Sequence, residues 1–225
     1  MDKRLIPTKG LRCVAGGISQ VKEMPFEEKL QSVRDYMALT ESVVFPLVRK
    51  RLGEDVVQEL RGMWDKETHE LPDDASAKDK YEQEYAGWIN KYATSYGLIK
   101  ERLGNSGIEE LEHEVVEALK RMNASLALSV LGLVRAVSKV GAFRMLKSQL
   151  VYKLQVFGSS TISETTRDRL AFDVPTCRIL DYPGGEIFCQ SGCQVLFPGW
   201  MKDQFHIVFE AQRQGKSCKL TIMPE

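Results

Sequence analysis

Four of the five cysteines of this 225-residue chain lie within its last 49 residues. Thiols that lie close together can hold a soft metal ion, attack a substrate as thiolates, or cycle between dithiol and disulfide. Buried cysteines can also pack as small apolar side chains. The spacing therefore marks one candidate region and leaves these four uses open. The four residues are Cys177, Cys189, Cys193 and Cys218.

A metal site is the first use that these cysteines could serve. Four thiolates can bind zinc tetrahedrally, and thiolates also hold iron–sulfur clusters. The four cysteines are separated by 11, 3 and 24 residues, without the paired Cys-x2-Cys knuckles typical of zinc domains. All four remain candidate ligands of zinc or of an iron–sulfur cluster, and His206 or Asp203 could replace one of them.

Nucleophilic catalysis is the second use, and it requires a thiol whose pKa is lowered. Cys189 lies near the start of a predicted helix, where the helix dipole favours a thiolate, and Cys193 lies on the same face four residues later. Asp203, Glu186 or His206 could then carry protons. Strand alternation opposes this role for His206, because it turns the imidazole away from the apolar side chains next to it.

The region around the cysteines predicts short strands and one short helix. Alternating apolar residues indicate extended segments, and clusters of proline and glycine indicate turns. We expect strands at 169–174 and 178–182, followed by a turn at 183–185. A short helix over 186–194 should follow, with Pro198-Gly199 as the helix breaker, and then a hairpin of 205–212 with 218–222. Residues 159–161 are expected to form a polar connection.

The first two thirds of the chain predict helices. Pro25 and the acids after it are typical of a helix start, and Gly53 ends that segment after a predicted kink at Pro46. Apolar residues recur at helical intervals in the segments that follow. We expect helices over 55–69 and 77–103, a linker at 71–76, a turn at 104–107, and a long helical stretch over 108–157 that breaks near Asn123 or Gly141.

Two further constellations on these helices could have a function. A stripe of five aromatic residues lies along the predicted third helix, and such a stripe is typical of a core or subunit-packing face. The sequence Glu110-x-x-His113 resembles half of a di-iron motif, but a second copy is missing, which favours a solvated charged face. The aromatic residues are Tyr81, Tyr85, Trp88, Tyr92 and Tyr96.

Charge and hydropathy narrow the range of partners. The 31 basic and 31 acidic residues cancel, which disfavours nucleic acid and anionic lipid as partners. The apolar stretch at 124–134 is too short to span a bilayer, and the N-terminus lacks the apolar run of a signal peptide. We therefore expect a cytoplasmic protein with a small molecule as its partner, and the aromatic stripe is compatible with a homo-oligomer.

These patterns together predict an α+β protein. A helical bundle over residues 1–155 is expected to pack on a small C-terminal antiparallel sheet with a short cysteine-bearing helix, over residues 156–225. The two regions are expected to form one compact unit.

The C-terminal region also carries a family resemblance. The order Val174-x-x-Cys177, a glycine turn, Cys189, an extended segment and Gly215-x-x-Cys218 resembles the C-terminal signature of the L-2-amino-thiazoline-4-carboxylic acid hydrolase-like family. It is also similar to the related 4-vinyl reductase-type small-molecule-binding domains. The segment 47–54 resembles the front half of those hydrolase-like proteins. The sharper part of the resemblance covers about residues 170–222.

The resemblance implies helices packed against a small antiparallel sheet, and hydrolytic opening of a sulfur-containing ring. One departure concerns the helix of the middle cysteine, where the family usually carries an aspartate and this chain has Cys193. The leading hypothesis is a hydrolase that cleaves a carbon–nitrogen or carbon–sulfur bond in a small heterocyclic or sulfur-containing substrate, with Cys189, Cys193, Asp203 and His206 in the site. The alternative is a non-catalytic sensor of a small molecule or a metal, and the residues leave enzyme and sensor open.

Overall fold

The computed structural model describes residues 22–66, 71–72, 74–122, 138–158 and 160–225, with the backbone alone at Ser148. Within these residues, helices form the N-terminal part and four antiparallel strands lie at the C-terminal end. The protein is therefore α+β, as the sequence predicts.

The first two helices begin and end close to their predicted start and stop residues. Helix α1, Phe26–Leu52, begins after Pro25, with acids in its first turn and basic residues in its last turn, which suits the helix dipole. Gly53 has a φ of 96°, a conformation that glycine adopts without steric cost, and it separates α1 from α2, Glu54–Asp65. Pro46 lies inside α1.

Helix α3 is longer than predicted. It runs over Ala77–Met122 and is interrupted only at Gly104, whose φ of 66° and ψ of −157° are not helical. The break predicted at 104–107 is confirmed at Gly104, where two helical segments meet at a kink, but it is shorter than predicted, since Ser106 and Gly107 are helical. Helix α4, Lys139–Leu154, begins at Ser138, whose hydroxyl accepts a hydrogen bond from the Gly141 amide. The helix start at Ser138 lies three residues from the break predicted near Gly141. The other predicted break, near residue 123, and the stretch 124–134 lie outside the described residues.

The sheet has the order β1-β2-β4-β3, with every neighbouring pair antiparallel. Its strands are β1, Thr161–Thr165; β2, Leu170–Val174; β3, Ile207–Gln214; and β4, Ser217–Pro224. The predicted hairpin is confirmed as β3 and β4, which are joined through Gly215, at a φ of 61°, and Lys216. Strand β1 was not predicted.

The cysteine-bearing helix, α5, spans 185–205, well beyond its predicted end. It consists of an α turn at Gly185–Phe188, a π segment at Cys189–Leu196, an α turn at Phe197–Trp200 and a second π segment at Met201–Phe205. Pro198-Gly199 does not break it, because Pro198 lies at the start of the second α turn, directly after the π segment. Arg178–Asp181 forms a 3-10 turn where a strand was predicted. The Leu180 amide donates a hydrogen bond to the Cys177 carbonyl and closes this turn.

One cluster of buried side chains joins the helices to the sheet, extending from Met24 before α1 to Ile222 on β4. The first four aromatic residues of the stripe on α3 are buried in it, so the stripe forms a core face, as predicted. None of the helices in the described part of the chain has the length and apolar character that crossing a membrane would require.

Candidate functional site

The four C-terminal cysteines converge at one end of the inner face of the sheet. Cys218 on β4 lies directly opposite Val174 on β2 and Arg213 on β3. The Cys177 amide donates a hydrogen bond to the Lys216 carbonyl, at 2.6 Å, which places the turn after β2 beside the start of β4. The sequence could not show this convergence, because the register of three strands produces it.

Helix α5 completes the thiol cluster, by which we mean Cys177, Cys189, Cys193 and Cys218. Cys189 is buried, and its sulfur lies 4.0 Å from Nη1 of Arg213. Cys193 follows four residues later on the same helix and is half-buried. All four thiols are free, and Cys193 interacts electrostatically with each of the other three.

The surroundings of the cluster favour neutral thiols. Burial raises the pKa of Cys189 and of Cys193, and the neighbouring sulfurs add to both increases. Burial and the same neighbours raise the pKa of Cys218 to about 11. Arg213 opposes this rise at Cys189 and at Cys218, and it also donates to Glu186 Oε1 at 2.6 Å. The lowered pKa that a cysteine nucleophile requires is therefore not found at these three thiols.

A buried tyrosine hydroxyl without a partner lies next to the cluster. Tyr85 on α3 is 0 % exposed, and its hydroxyl makes no hydrogen bond. Burial raises its pKa well above the ordinary value, and Cys193 and Cys177 are among the neighbours that raise it further. Leaving a buried polar group unpaired costs about 1–3 kcal/mol, so this hydroxyl is an unusual feature of the core.

The cysteine side chains are not arranged as the predicted metal site requires. Among the residues that the structure describes, no three or more histidine, cysteine or acidic side chains are grouped so that they could hold a metal ion together. The four-thiolate zinc or iron–sulfur site therefore has no geometric support here, although the thiols themselves are close neighbours.

Two of the three predicted proton carriers, Asp203 and His206, lie away from the thiols, whereas Glu186 shares Arg213 with Cys189. Asp203 Oδ2 pairs with Lys120 Nζ at 2.9 Å, and Nδ1 of His206 lies 3.4 Å from Glu225 Oε2. Asp203 lies fourteen positions after Cys189 along α5, which corresponds to about 20 Å along a helix. The structure thus does not bring Asp203 or His206 together with Cys189.

The second candidate site is an apolar cavity between helices α1, α3 and α5. Its volume is about 40 Å³, or about 390 Å³ when the open mouth and the space between wall atoms are included. Its walls include Leu39 from α1, Trp88 and Val115 from α3, and Phe188 and Leu196 from α5. Because these side chains come from distant parts of the sequence, no local motif predicts the cavity.

The π segment of α5 separates the cavity from the thiol cluster. Gly192 and Leu196 of this segment line the cavity, whereas Cys189 and Cys193 lie in the cluster. A Cβ atom at Gly192 would lie 3.0 Å from Cε1 of Phe188, so the small residue lets that ring pack against the helix. Short π segments inside α-helices are frequent at functional sites.

Three polar side chains in the cavity wall, those of Thr40, Trp88 and Tyr92, have hydrogen-bond partners. Trp88 Nε1 donates to the Thr40 hydroxyl at 3.1 Å. The hydroxyl groups of Tyr92 and Ser191 are 2.5 Å apart, and Ser191 donates to Glu112 Oε1 at 2.8 Å. Burial raises the pKa of Glu112. This Tyr92–Ser191–Glu112 chain was not predicted, because it joins three residues that carry no shared sequence motif.

The half di-iron motif on α3 has a structural explanation. Glu110 forms ion pairs with Lys50, at 3.1 Å, and with Arg51, both in the last turn of α1. It therefore ties the end of α1 to α3.

The fold and these two sites define an α+β protein with a thiol cluster and an apolar cavity on different faces of one helix. No protein-family model matches the chain, and searches of curated proteins and of solved structures also found no match. The resemblance to the L-2-amino-thiazoline-4-carboxylic acid hydrolase-like family therefore stays a prediction that rests on the residues quoted for it.

Proposed function

We propose that the protein is a non-catalytic binding domain for a small apolar molecule, held in the cavity between α1, α3 and α5. The observation that carries this proposal is the wall, which three helices build from aromatic and aliphatic side chains. Ligand pockets in proteins are typically concave and mostly apolar.

The chemistry of the wall indicates the class of ligand. The hydroxyl groups of Thr40 and Tyr92 are occupied by bonds within the protein, so they do not present free donors to the cavity. An apolar ligand enters such a site without leaving polar groups unpaired. The inner volume of about 40 Å³ is smaller than an aromatic ring, so an aromatic or short aliphatic ligand would extend into the open mouth.

Hydrolysis, the leading hypothesis from the sequence, receives less support from the geometry. Burial favours the neutral form of three of the thiols, Asp203 pairs with Lys120 near the far end of α5, and Glu186 is held by Arg213. The sensor alternative requires no such proximity, because binding alone is its function.

Binding of benzene to the full chain tests the proposal. At a benzene concentration ten times Kd, a single site adds about 1.4 kcal/mol of stability, and that raises Tm by about 3–5 °C in a chain of this size. Trp88 lies in the wall, so its fluorescence should change along the same saturable curve.

Two matched variants distinguish the cavity from unspecific binding. Val115→Phe fills the cavity and should abolish saturable benzene binding. Val57→Phe enlarges a fully buried valine on α2 that does not line the cavity, so it should lower Tm but keep the binding. A folded parent protein with no saturable binding, or equal binding by both variants, would refute the proposal.

A further inference from the structure

The sheet ends in two edge strands, and they differ in how well they are protected against pairing with another chain. Strand β1 has five residues, and its pairing with β2 is irregular between Ile162 and Glu164. Short length and bulges are features that blunt an edge. Strand β3 has eight residues without proline or lysine, and every one of them pairs in register with β4. The edge of β3 thus has neither feature.

The register of the hairpin shows which backbone groups of β3 point outward. Gln214 and Ser217 flank the two-residue turn, so they form a hydrogen-bonded pair, and such pairs alternate with non-hydrogen-bonded ones along the ladder. Pro224, which has no N–H, lies opposite Ile207 in a non-hydrogen-bonded pair, as this alternation requires. The N–H and C=O groups that point away from β4 are therefore those of Ile207, Phe209, Ala211 and Arg213.

These outward groups form the free edge of the sheet. Within the described part of the chain, no backbone group outside the sheet bonds to them. Helix α5 packs on the inner face of the strand, where the ring centroids of Phe197 and Phe209 are 6.3 Å apart. The aromatic stripe of α3 cannot serve as a subunit face instead, because its first four residues are buried in the core. A row of unpaired backbone groups on a regular strand is a template for pairing with another strand.

Strand β3 is complementary to a second copy of itself. In an antiparallel pair centred on Ala211, this residue meets its own copy, and Phe209 lies opposite Arg213 of the second copy. The outward groups of these three residues then form about six hydrogen bonds. Glu210 lies opposite Gln212 of the second copy, so no like charges meet. A register centred on Glu210 would instead place two carboxylates opposite each other, which is unfavourable.

We propose that two copies of the chain pair through β3, antiparallel and centred on Ala211, and form one continuous eight-stranded sheet. The two-fold axis runs perpendicular to this sheet, so the inner faces of both copies lie on the same side. The apolar cavity is not part of the interface, and the proposal does not depend on the function proposed for that cavity.

The oligomeric state of the full chain tests the proposal. Light scattering after size-exclusion chromatography should show a dimer. A chain that stays monomeric at every concentration would overturn the proposal, whether its β3 edge is open or covered.

A proline on the free edge identifies the interface. Ala211→Pro removes one outward N–H and no bond to β4, so it should give a folded monomer in which the Phe209 amide exchanges about 10-fold faster than in the parent. The matched control is Ser163→Pro on the other edge strand, at a residue without a partner in the register of β1 and β2. This variant should stay dimeric. A dimer that survives Ala211→Pro would overturn the proposal.

The register has its own test, because Gln212 faces Glu210 of the second copy and Lys219 of its own chain. Gln212→Lys should tighten the dimer by about 5-fold, and Gln212→Glu should weaken it by a similar factor. The monomer should respond in the opposite direction, since Lys219 repels the new lysine and attracts the new glutamate. Urea unfolding of both changes in the Ala211→Pro background measures that response. Dimer affinities that follow monomer stability, or that do not change, would overturn the register.

Discussion

Tyr81 and Tyr85 lie one turn apart on α3, and both are almost completely buried, yet only Tyr81 has a hydrogen-bond acceptor. The Tyr81 hydroxyl donates to the Val156 carbonyl at 2.7 Å, whereas the Tyr85 hydroxyl has no partner. The buried hydroxyl of Tyr81 is therefore compensated by a hydrogen bond, whereas that of Tyr85 carries an uncompensated cost of desolvation.

Removing these two hydroxyls should change stability in opposite directions. Tyr85→Phe deletes an unpaired buried group and should raise the free energy of unfolding by about 1 kcal/mol. Tyr81→Phe leaves the Val156 carbonyl without its donor and should lower it by about 1 kcal/mol. Urea unfolding of the reduced protein measures both, and destabilisation of equal size in the two variants would contradict this account.

Gly104 should be far less replaceable than Gly97 in the same helix. Its φ of 66° and ψ of −157° are accessible almost only to glycine, so Gly104→Ala should lower the free energy of unfolding by about 1–3 kcal/mol. Gly97 has helical geometry in the same helix, and a Cβ there would meet nothing within 4 Å. Gly97→Ala should therefore be stabilising by about 0.4–1 kcal/mol, and equal effects at the two sites would contradict the assigned backbone break.

Arg178 should contribute to stability far more than a surface cation. Its guanidinium lies over the rings of Tyr81, Tyr85 and Tyr182, donates to the Tyr182 hydroxyl at 2.7 Å and pairs with Glu82. Arg178→Lys loses the planar stacking and the forked donors, so it should cost about 2 kcal/mol.

The control for Arg178 is Lys216→Ala, which removes an exposed ion pair with Asp181 at 2.9 Å. That change should alter stability by less than about 1 kcal/mol. Thermal unfolding of both variants at moderate salt measures the difference. Similar losses in the two variants would show that the tyrosine contacts contribute little.

Glu112 should make stability depend on pH. Burial raises the pKa of this carboxyl above its ordinary 4.5, so the folded protein holds the proton more tightly than the unfolded chain does. Stability is then lost as pH rises from the unfolded pKa to the folded pKa. Glu112→Gln removes that loss and can still accept the bond from Ser191, so its stability relative to the parent should increase from pH 4 to pH 7.

Unfolding curves across this pH range measure the Glu112 effect. Glu114→Gln changes an exposed glutamate on the same helix and serves as the control for helix propensity. A stability difference between Glu112→Gln and the parent that is constant with pH would show that this carboxyl does not titrate differently in the two states.

The sequence alone was sufficient for features that depend on local order. Helix α1 follows from Pro25, the acids in its first turn and Gly53, and the hairpin follows from alternation around Gly215. The placement of Cys189 and Cys193 on one helix follows from their spacing. Each of these signals acts between residues near one another in the chain.

The elements that the sequence predicted wrongly lack a clear local signal or carry a misleading one. Strand β1 has no buried residue, so it lacks the apolar alternation that identifies a strand. Pro198 does not end α5, because it begins a new α turn after a widened π segment. A long helix and an edge strand are thus stabilised here by their neighbours rather than by their own sequence.

Only the tertiary structure decided how the site residues meet. Strand register places Cys218 opposite Arg213, and the packing of α5 on α3 places Ser191 between Tyr92 and Glu112. The tertiary structure also places His206 beside Glu225, away from the thiols whose proton it was expected to accept. Local sequence determines which side chains share an element, but hydrophobic burial of whole elements against one another determines which elements touch, and that choice depends on the entire chain.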